Sequence, residues 1–423
     1  MTSFRSRRAL VAVAIVFVGA APARAQTLLI PMDDGQRNHL RAYGLVYNAL
    51  KDGQKAEWLL NYRGGAFFVP DLPEMRRRAA LAGVSVEPED AVQVADVRRE
   101  MAGGNMDAVP LEKAPRVAIY TPPGAQPWDD AVTLALTYAG IPFEKVWDDD
   151  VLSGALTKYE WVHLFHEDFT GQQNKLALTY SQAPWYREQH AMLLDAAARH
   201  GFASVPALKK AVAEHIRTYV ENGGFLFAMC GATESLDLAI AGEDVNFAGS
   251  AAGGPPPDPD ADRKMLWARS FAFQNAHLAP PYVTALSDID GHQVNVPGRR
   301  QPLGTFQLFA FSAKFDPVPS MLVQDHRTSI PDFYGVTTSF MKATVKPGVT
   351  VLATEDGAPW VKYIHGDYGK GAWTYLGGHD PEDPQHAIGS PPTDLALHPD
   401  SPGYRLILNN VLFPAAKKKP RKT

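Results

Sequence analysis

The 423-residue chain has a single cysteine, Cys230, and so cannot close an intramolecular disulfide. Stability must come from a sizeable hydrophobic core, even in an oxidising compartment. Long apolar runs are as scarce. The run from 9 to 21 is too short to cross a bilayer as a helix, and no later one is longer, which predicts a chain without a membrane span. Positive charge is in deficit, with 41 Lys and Arg against 46 Asp and Glu. That balance argues against nucleic acid as a partner. Internal repeats are missing too, which excludes a repeat array.

What is present begins with a targeting layout. Arg5, Arg7 and Arg8 precede the apolar run, and Ala23-Arg24-Ala25 follows it as a small-x-small cleavage site. Residues 1–25 thus read as a cleaved secretory signal, with a mature start near Gln26 and a periplasmic or secreted destination. No cysteine follows the run, so lipoprotein processing is excluded. Cleavage removes four arginines and no acid, taking the formal charge from −5 to −9. The basic stretch 417–423 reads as a disordered, solvated tail.

Between these ends the sequence divides by texture. Residues 26–112 form an N-terminal α/β segment. It holds a short buried strand in TLLIPMDD, a helix with Leu40, Tyr43, Tyr47 and Leu50 on one stripe, and a strand pair broken at Gly64-Gly65. The charged stretch from 72 reads as one helix and a linker. Residues 113–245 alternate strands (RVAIY, FEKV, YEWVHLF, FLFAM) with helices around 129–140, 184–200 and 206–222. Residues 246–345 are Gly/Pro-rich and β-like, an insertion or second lobe. Residues 346–416 resume the core with a strand, a hairpin turning at 367–371, and a helix capped by Ser401 and Pro402. The alternation predicts an α/β fold with a doubly wound, mostly parallel sheet.

In such sheets ligands bind beyond the carboxyl ends of the strands. Three polar clusters fall there: His163, His166 and Asp168; Cys230, Gly231 and Glu234; and Gly378, His379, Asp380 and Glu382. Cys230 lies where a strand turns into a helix. It reads either as a nucleophile served by helix amides or as a small core residue. His379 could take the thiol proton, with Asp380 or Glu382 orienting the ring. His163, His166, Asp168, Gly231, Glu234 and Gly378 would line the substrate pocket. Glu234 could equally cap its helix. His163, His166, Asp168 and His379 could instead bind a divalent metal. Trp128, Trp161 and Trp185 read as core rather than as a sugar platform.

GGFLFAMCGATES, followed by WVKYIHGDYGKGAWTYLGGHD and a YRLILNNVLF helix, resembles the class I glutamine amidotransferase-like fold, in its ThuA-like branch. The resemblance covers about half the mature chain. It implies a flavodoxin-like sheet, with Cys230 as the elbow cysteine and His379 as its histidine. Glu382 lies three residues from His379 where glutaminases have two, and the elbow reads Ala-Met-Cys-Gly-Ala. The whole chain is also similar to secreted bacterial proteins called asparagine synthetase B. The N-terminal cysteine and Ser-Gly-Gly-x-Asp-Ser loop of that chemistry are missing. The expectation is an exported hydrolase-type enzyme acting on a small amide or carbohydrate derivative, with no cofactor and an oligomeric state left open. The alternatives are a non-catalytic sugar- or peptide-binding protein and a metal-assisted hydrolase.

Overall fold

The computed structural model describes residues 27–123, 130–248, 256–291, 303–384 and 390–417. The leader at 1–25, Trp128 and the end of the tail lie outside them.

The first 85 of these residues build a sheet of their own. β1 (Thr27–Ile30), β2 (Ala56–Leu60), β3 (Ala66–Pro70), β4 (Glu87–Glu89) and β5 (Asp107–Leu111) pair antiparallel in the order β4-β1-β3-β2-β5. The helices are α1 (His39–Lys51), α2 (Pro73–Ala82) and α3 (Ala91–Gly103). Asn38 caps α1 by accepting from the Arg41 amide, and Asp90 with Gln93 forms a capping box at α3. The stretch read as one helix and a linker is therefore α2, a short strand, α3 and an edge strand.

The second sheet takes the rest of the chain. Its strands are β6 (Val117–Tyr120), β7 (Glu144–Val146), β8 (Trp161–Leu164), β9 (Phe225–Met229), β10 (Thr305–Leu308), β11 (Ser329–Pro331), β12 (Phe340–Met341), β13 (Thr350–Thr354), β14 (Trp360–Tyr368) and β15 (Gly371–Leu376). They run in the order β11-β10-β13-β14-β15-β9-β8-β6-β7, with β12 beside β14. The fold is α/β, but its large sheet is mixed rather than mostly parallel. Pairing is parallel from β7 to β15 and antiparallel from β15 onward. The reason is chain connectivity: β14 and β15 are joined by a two-residue turn, which can only make an antiparallel pair. Stretch 246–345 supplies β10, β11 and β12 to this sheet.

The connecting helices are α4 (Ala131–Ala139), α5 (Asp148–Leu152), α6 (Ala177–Tyr180), α7 (Pro184–Arg199), α8 (Val205–Glu221), α9 (Gly231–Ala241), α10 (Ala261–Lys264), α11 (Pro317–Leu322) and α12 (Pro402–Leu412). Alternating side chains of β6, β8 and β9 divide between two cores. One core holds Ile119, Trp161 and Phe227 with α1, α4 and α12, and the other holds Ala118, Val162 and Leu226 with α8 and α9. α1 lies between the two sheets and is buried nearly all round, not along one stripe. It meets α4 so closely that a Cβ on Gly44 would stand 1.7 Å from the Ala139 carbonyl oxygen. Arg405 of α12 is fully buried at the same junction and donates to the carbonyls of Met32 (2.9 Å) and Gly64 (2.7 Å), tying the small sheet to the large one.

Candidate functional site

β8, β9 and β15 are parallel neighbours. Leu164 pairs with Ala228, and Leu376 with Met229. The residues that follow each strand therefore emerge on one rim, and the three polar clusters meet there. Phe165 joins them: its carbonyl accepts from the Ala232 amide (3.0 Å), and its ring lies 4.4 Å from that of His379, edge to face. The His166 and His379 rings are stacked at 6.2 Å and 14°. Both residues are half-buried, and the Nδ1 of each ring is buried.

Cys230 occupies the strand-to-helix elbow at φ 50°, ψ −139°. A residue with a Cβ is strained there, by about 1–3 kcal/mol. The thiol itself is fully buried. It lies in the core shared with Met229, and its Sγ accepts from the Val336 amide at 3.2 Å. The covering segment, 333–338, is bound to all sides of the rim. Gly378 donates to the Thr337 carbonyl (2.9 Å), His379 to the Tyr334 carbonyl (2.7 Å), and Thr338 to Asp290 Oδ1 (3.2 Å). Lys362 holds its start through Asp332 (2.5 Å) and the Phe333 carbonyl (2.8 Å). Gly378 (φ 93°) is needed for this cover, since a Cβ there would meet the Phe333 ring at 2.5 Å. The strain at Cys230 has a direct test. Cys230→Gly should be more stable than Cys230→Ala by about 1–3 kcal/mol in urea titrations. At an unstrained position alanine is ordinarily the better residue by about 0.4–1 kcal/mol, so an Ala variant at least as stable as the Gly variant would show that the elbow stores no strain.

Behind the elbow, Glu234 does not cap its helix. Its Oε1 accepts from Ser287 (2.6 Å) and its Oε2 from Thr337 (2.9 Å), joining α9 to two distant loops. Burial pushes its carboxyl up to about 7, the two hydroxyls pull it down in part, and Asp168 raises it further. Lys175 lies near the same carboxylates at φ 55° and donates to the Pro280 carbonyl (2.8 Å). Burial lowers its amine to about 8, against the pull of Asp168 and Glu234. Asp168 accepts from the amide (2.8 Å) and hydroxyl (2.5 Å) of Thr170, closing its own turn.

Four of the expected roles change. Asp380 does not orient His379: one oxygen accepts from the amides of Glu382 and Asp383 and from Tyr404, and the other from Thr393. Glu382 turns to His398, 3.1 Å away. His163 is no pocket residue. It is fully buried between Trp161 and Phe227, with Nδ1 3.1 Å from the Phe227 carbonyl and Nε2 3.4 Å from Asp130. The amide after Gly231, that of Ala232, is committed to Phe165 rather than open to an oxyanion. With His163 turned away, the proposed metal set does not assemble, and among the described residues no group of three His, Cys, Asp or Glu side chains is placed to hold an ion. Trp161 is core, whereas Trp185 is partly exposed.

Sequence reasoning missed the 333–338 cover, Ser287 and Lys175. No short-range pattern joins them to the elbow, since Thr337 and Ser287 meet Glu234 across 103 and 53 residues.

No protein-family model matches the chain, and no curated protein matches it. Among solved structures it is similar to a cytoplasmic protein of Salmonella typhimurium, STM3548, with 12% identity and a TM-score of 0.34 over 72% of this chain and 100% of that one. A protein of Bacteroides uniformis described as ThuA-like is 13% identical, with a TM-score of 0.29 over 70% of this chain and 92% of the other. A GH42 β-galactosidase of G. stearothermophilus is 12% identical, with a TM-score of 0.27 over 81% of this chain and 43% of the enzyme. None of these three bears an asparagine synthetase description. No helix among the described residues is long and apolar enough to cross a membrane.

Proposed function

We propose that the chain is an exported hydrolase-type enzyme of amidotransferase-like architecture, acting on a small amide or carbohydrate derivative at the β8–β9–β15 rim. The observation that carries this reading is the elbow. A cysteine held at φ 50°, ψ −139° between a buried strand and an 11-residue helix is backbone strain at a point where a nucleophile is ordinarily presented. In the amide case the Cys230 sulfur attacks the carbonyl carbon, and the His379 imidazole takes the thiol proton. Substrate reaches the sulfur when Gly335 and Val336, the half-buried part of the cover, give way. Export rests on the leader-like residues 1–25.

A second reading has its own observation. The complete burial of Sγ suits a non-catalytic sugar- or peptide-binding protein in which Cys230 only packs. Alkylation separates the two. Native protein treated with iodoacetamide between pH 5 and 9 should gain one adduct, at Cys230, at a rate above that of the urea-unfolded chain. Labelling that appears only on unfolding removes the nucleophile and leaves the binding protein.

A further inference from the structure

With Asp380 and Glu382 committed elsewhere, the acid named so far for a leaving amine is the His379 imidazolium. The loop after β8 carries another. Glu167 is 8% exposed, and its Oε2 is buried with no hydrogen-bond donor among the described residues. The neighbouring carboxylates differ. Asp130 accepts from Val132 and from Thr133, Asp168 from Thr170, and Glu234 from Ser287 and Thr337. A buried ionised carboxylate with one oxygen left without a donor is costly, and the remedy is to keep the proton; the residue's own amide offsets part of that cost.

The backbone around Glu167 is fixed against the elbow helix. The Glu167 carbonyl accepts from Ser235 Oγ (2.9 Å), and the same hydroxyl accepts from the Phe169 amide (3.2 Å). Ser235 lies little more than one turn along α9 from Cys230. The charged and titratable groups facing Glu167 are His166 on its own loop, Asp130 at the start of α4, Lys209 on α8 and Tyr120 at the end of β6. Lys209 already serves Asp148 with two contacts of 3.0 and 2.9 Å, and Asp130 repels a second anion. Burial drives the Glu167 carboxyl above its usual range, countered in part by His166, by a hydrogen bond from its own amide and by Lys209.

We propose that Glu167 is the general acid of the site, donating its proton to the leaving nitrogen or oxygen of the substrate beside His166. This rests on the hydrolase reading above. In the amide case the C–S bond forms as the thiol proton passes to His379. The C–N bond then breaks as the Glu167 proton moves to nitrogen, so the amine leaves neutral. Water next attacks the thioester and gives one proton to the Glu167 carboxylate, while the leaving thiolate recovers its proton from His379. One water is consumed, and both residues return to their starting state.

The test varies the leaving group. Acetylation of Cys230 is followed by intact mass with two probes, p-nitrophenyl acetate, whose leaving group departs as the anion, and p-nitroacetanilide, whose amine must be protonated. In Glu167→Gln the ratio of anilide to ester acetylation should fall about 100-fold, the lower end of what acid catalysis supplies. Glu167→Asp should restore part of it. The infrared spectrum at pH 7 should also lose one protonated-carboxyl band in Glu167→Gln. An unchanged ratio, an unchanged infrared spectrum, or a native enzyme that takes acetyl from the ester but never from the anilide each overturns the assignment of Glu167. Failure of both probes to acetylate Cys230 sinks the hydrolase reading instead, and the infrared band then decides alone whether Glu167 holds a proton.

Discussion

Lys209→Met should destabilise the fold by about 3–5 kcal/mol in urea titration, and the triple variant Lys209→Met/Asp148→Leu/Tyr120→Phe should return to within about 1 kcal/mol of the parent or exceed it. The three side chains form a closed cluster beyond the ends of β6 and β7. Lys209 Nζ donates to Tyr120 Oη (2.9 Å) and to both oxygens of Asp148, and Tyr120 donates to Asp148. Neither charge meets solvent: Lys209 is 3% exposed and Asp148 not at all. The Trp147 ring lies 4.0 Å from the ammonium, and Phe169 packs on Tyr120. Removing the lysine strands the Asp148 charge in this apolar, solvent-excluded setting. Removing all three polar groups strands nothing, because the phenol would otherwise lose both its partners. A single variant costing under 1 kcal/mol, or a triple variant no better than the single, would show that water reaches the cluster and that it is not the sealed ion pair described.

The same sealing explains what could be read from the sequence and what could not. Strands β6, β8 and β9 stand out because they are buried on both faces and read as apolar runs, broken only by His163 in β8. α2 and α3 read as one helix and a linker because each buries only two residues, Met75 and Ala79 in one, Val97 and Met101 in the other, too few to mark where each helix runs. The site divides in the same way. Cys230, His166 and His379 are legible because each follows an apolar strand directly, and parallel register then carries them to one rim. Asp380 misleads. A carboxylate before Pro381 suits a histidine partner, but it suits its own turn better, and it accepts from the amides two and three residues on. The cover over the thiol has no local signature at all. Its anchor Lys362 is 30 residues from Asp332, and that pairing exists only once β14 lies against the loop.

Glu234 supplies the second large effect, and its sign is opposite to that of an ordinary acid-sensitive fold. An unfolded glutamate loses its proton near 4.5, whereas burial keeps the folded residue protonated up to about 7. Between those values the native state binds the extra proton, so stability falls as pH rises through the window and levels off above it. At about 1.4 kcal/mol per pH unit the loss amounts to about 3 kcal/mol. Glu234→Gln keeps the shape, accepts from one of the Ser287 and Thr337 hydroxyls and donates to the other, and has nothing to titrate. The difference in unfolding free energy, parent minus variant, should therefore decline by about 3 kcal/mol from pH 4.5 to 7 and be flat from 7 to 8.5. The difference is needed because other groups move in the same range. Asp237 is raised by burial, which acts in the same direction as Glu234. His39 is lowered to about 3 by burial, so its contribution is present above 6.5 and is lost as pH falls toward 3, pulling the other way. Both are unchanged in the variant and cancel. A flat difference would mean that Glu234 is ionised throughout, with Lys175 or water neutralising it. A difference that rises with pH would mean that the Ser287 and Thr337 hydroxyls outweigh its burial. Either result would remove the protonated carboxyl from behind the elbow, and with it the reason Asp168 can stand so near without repulsion between two full charges.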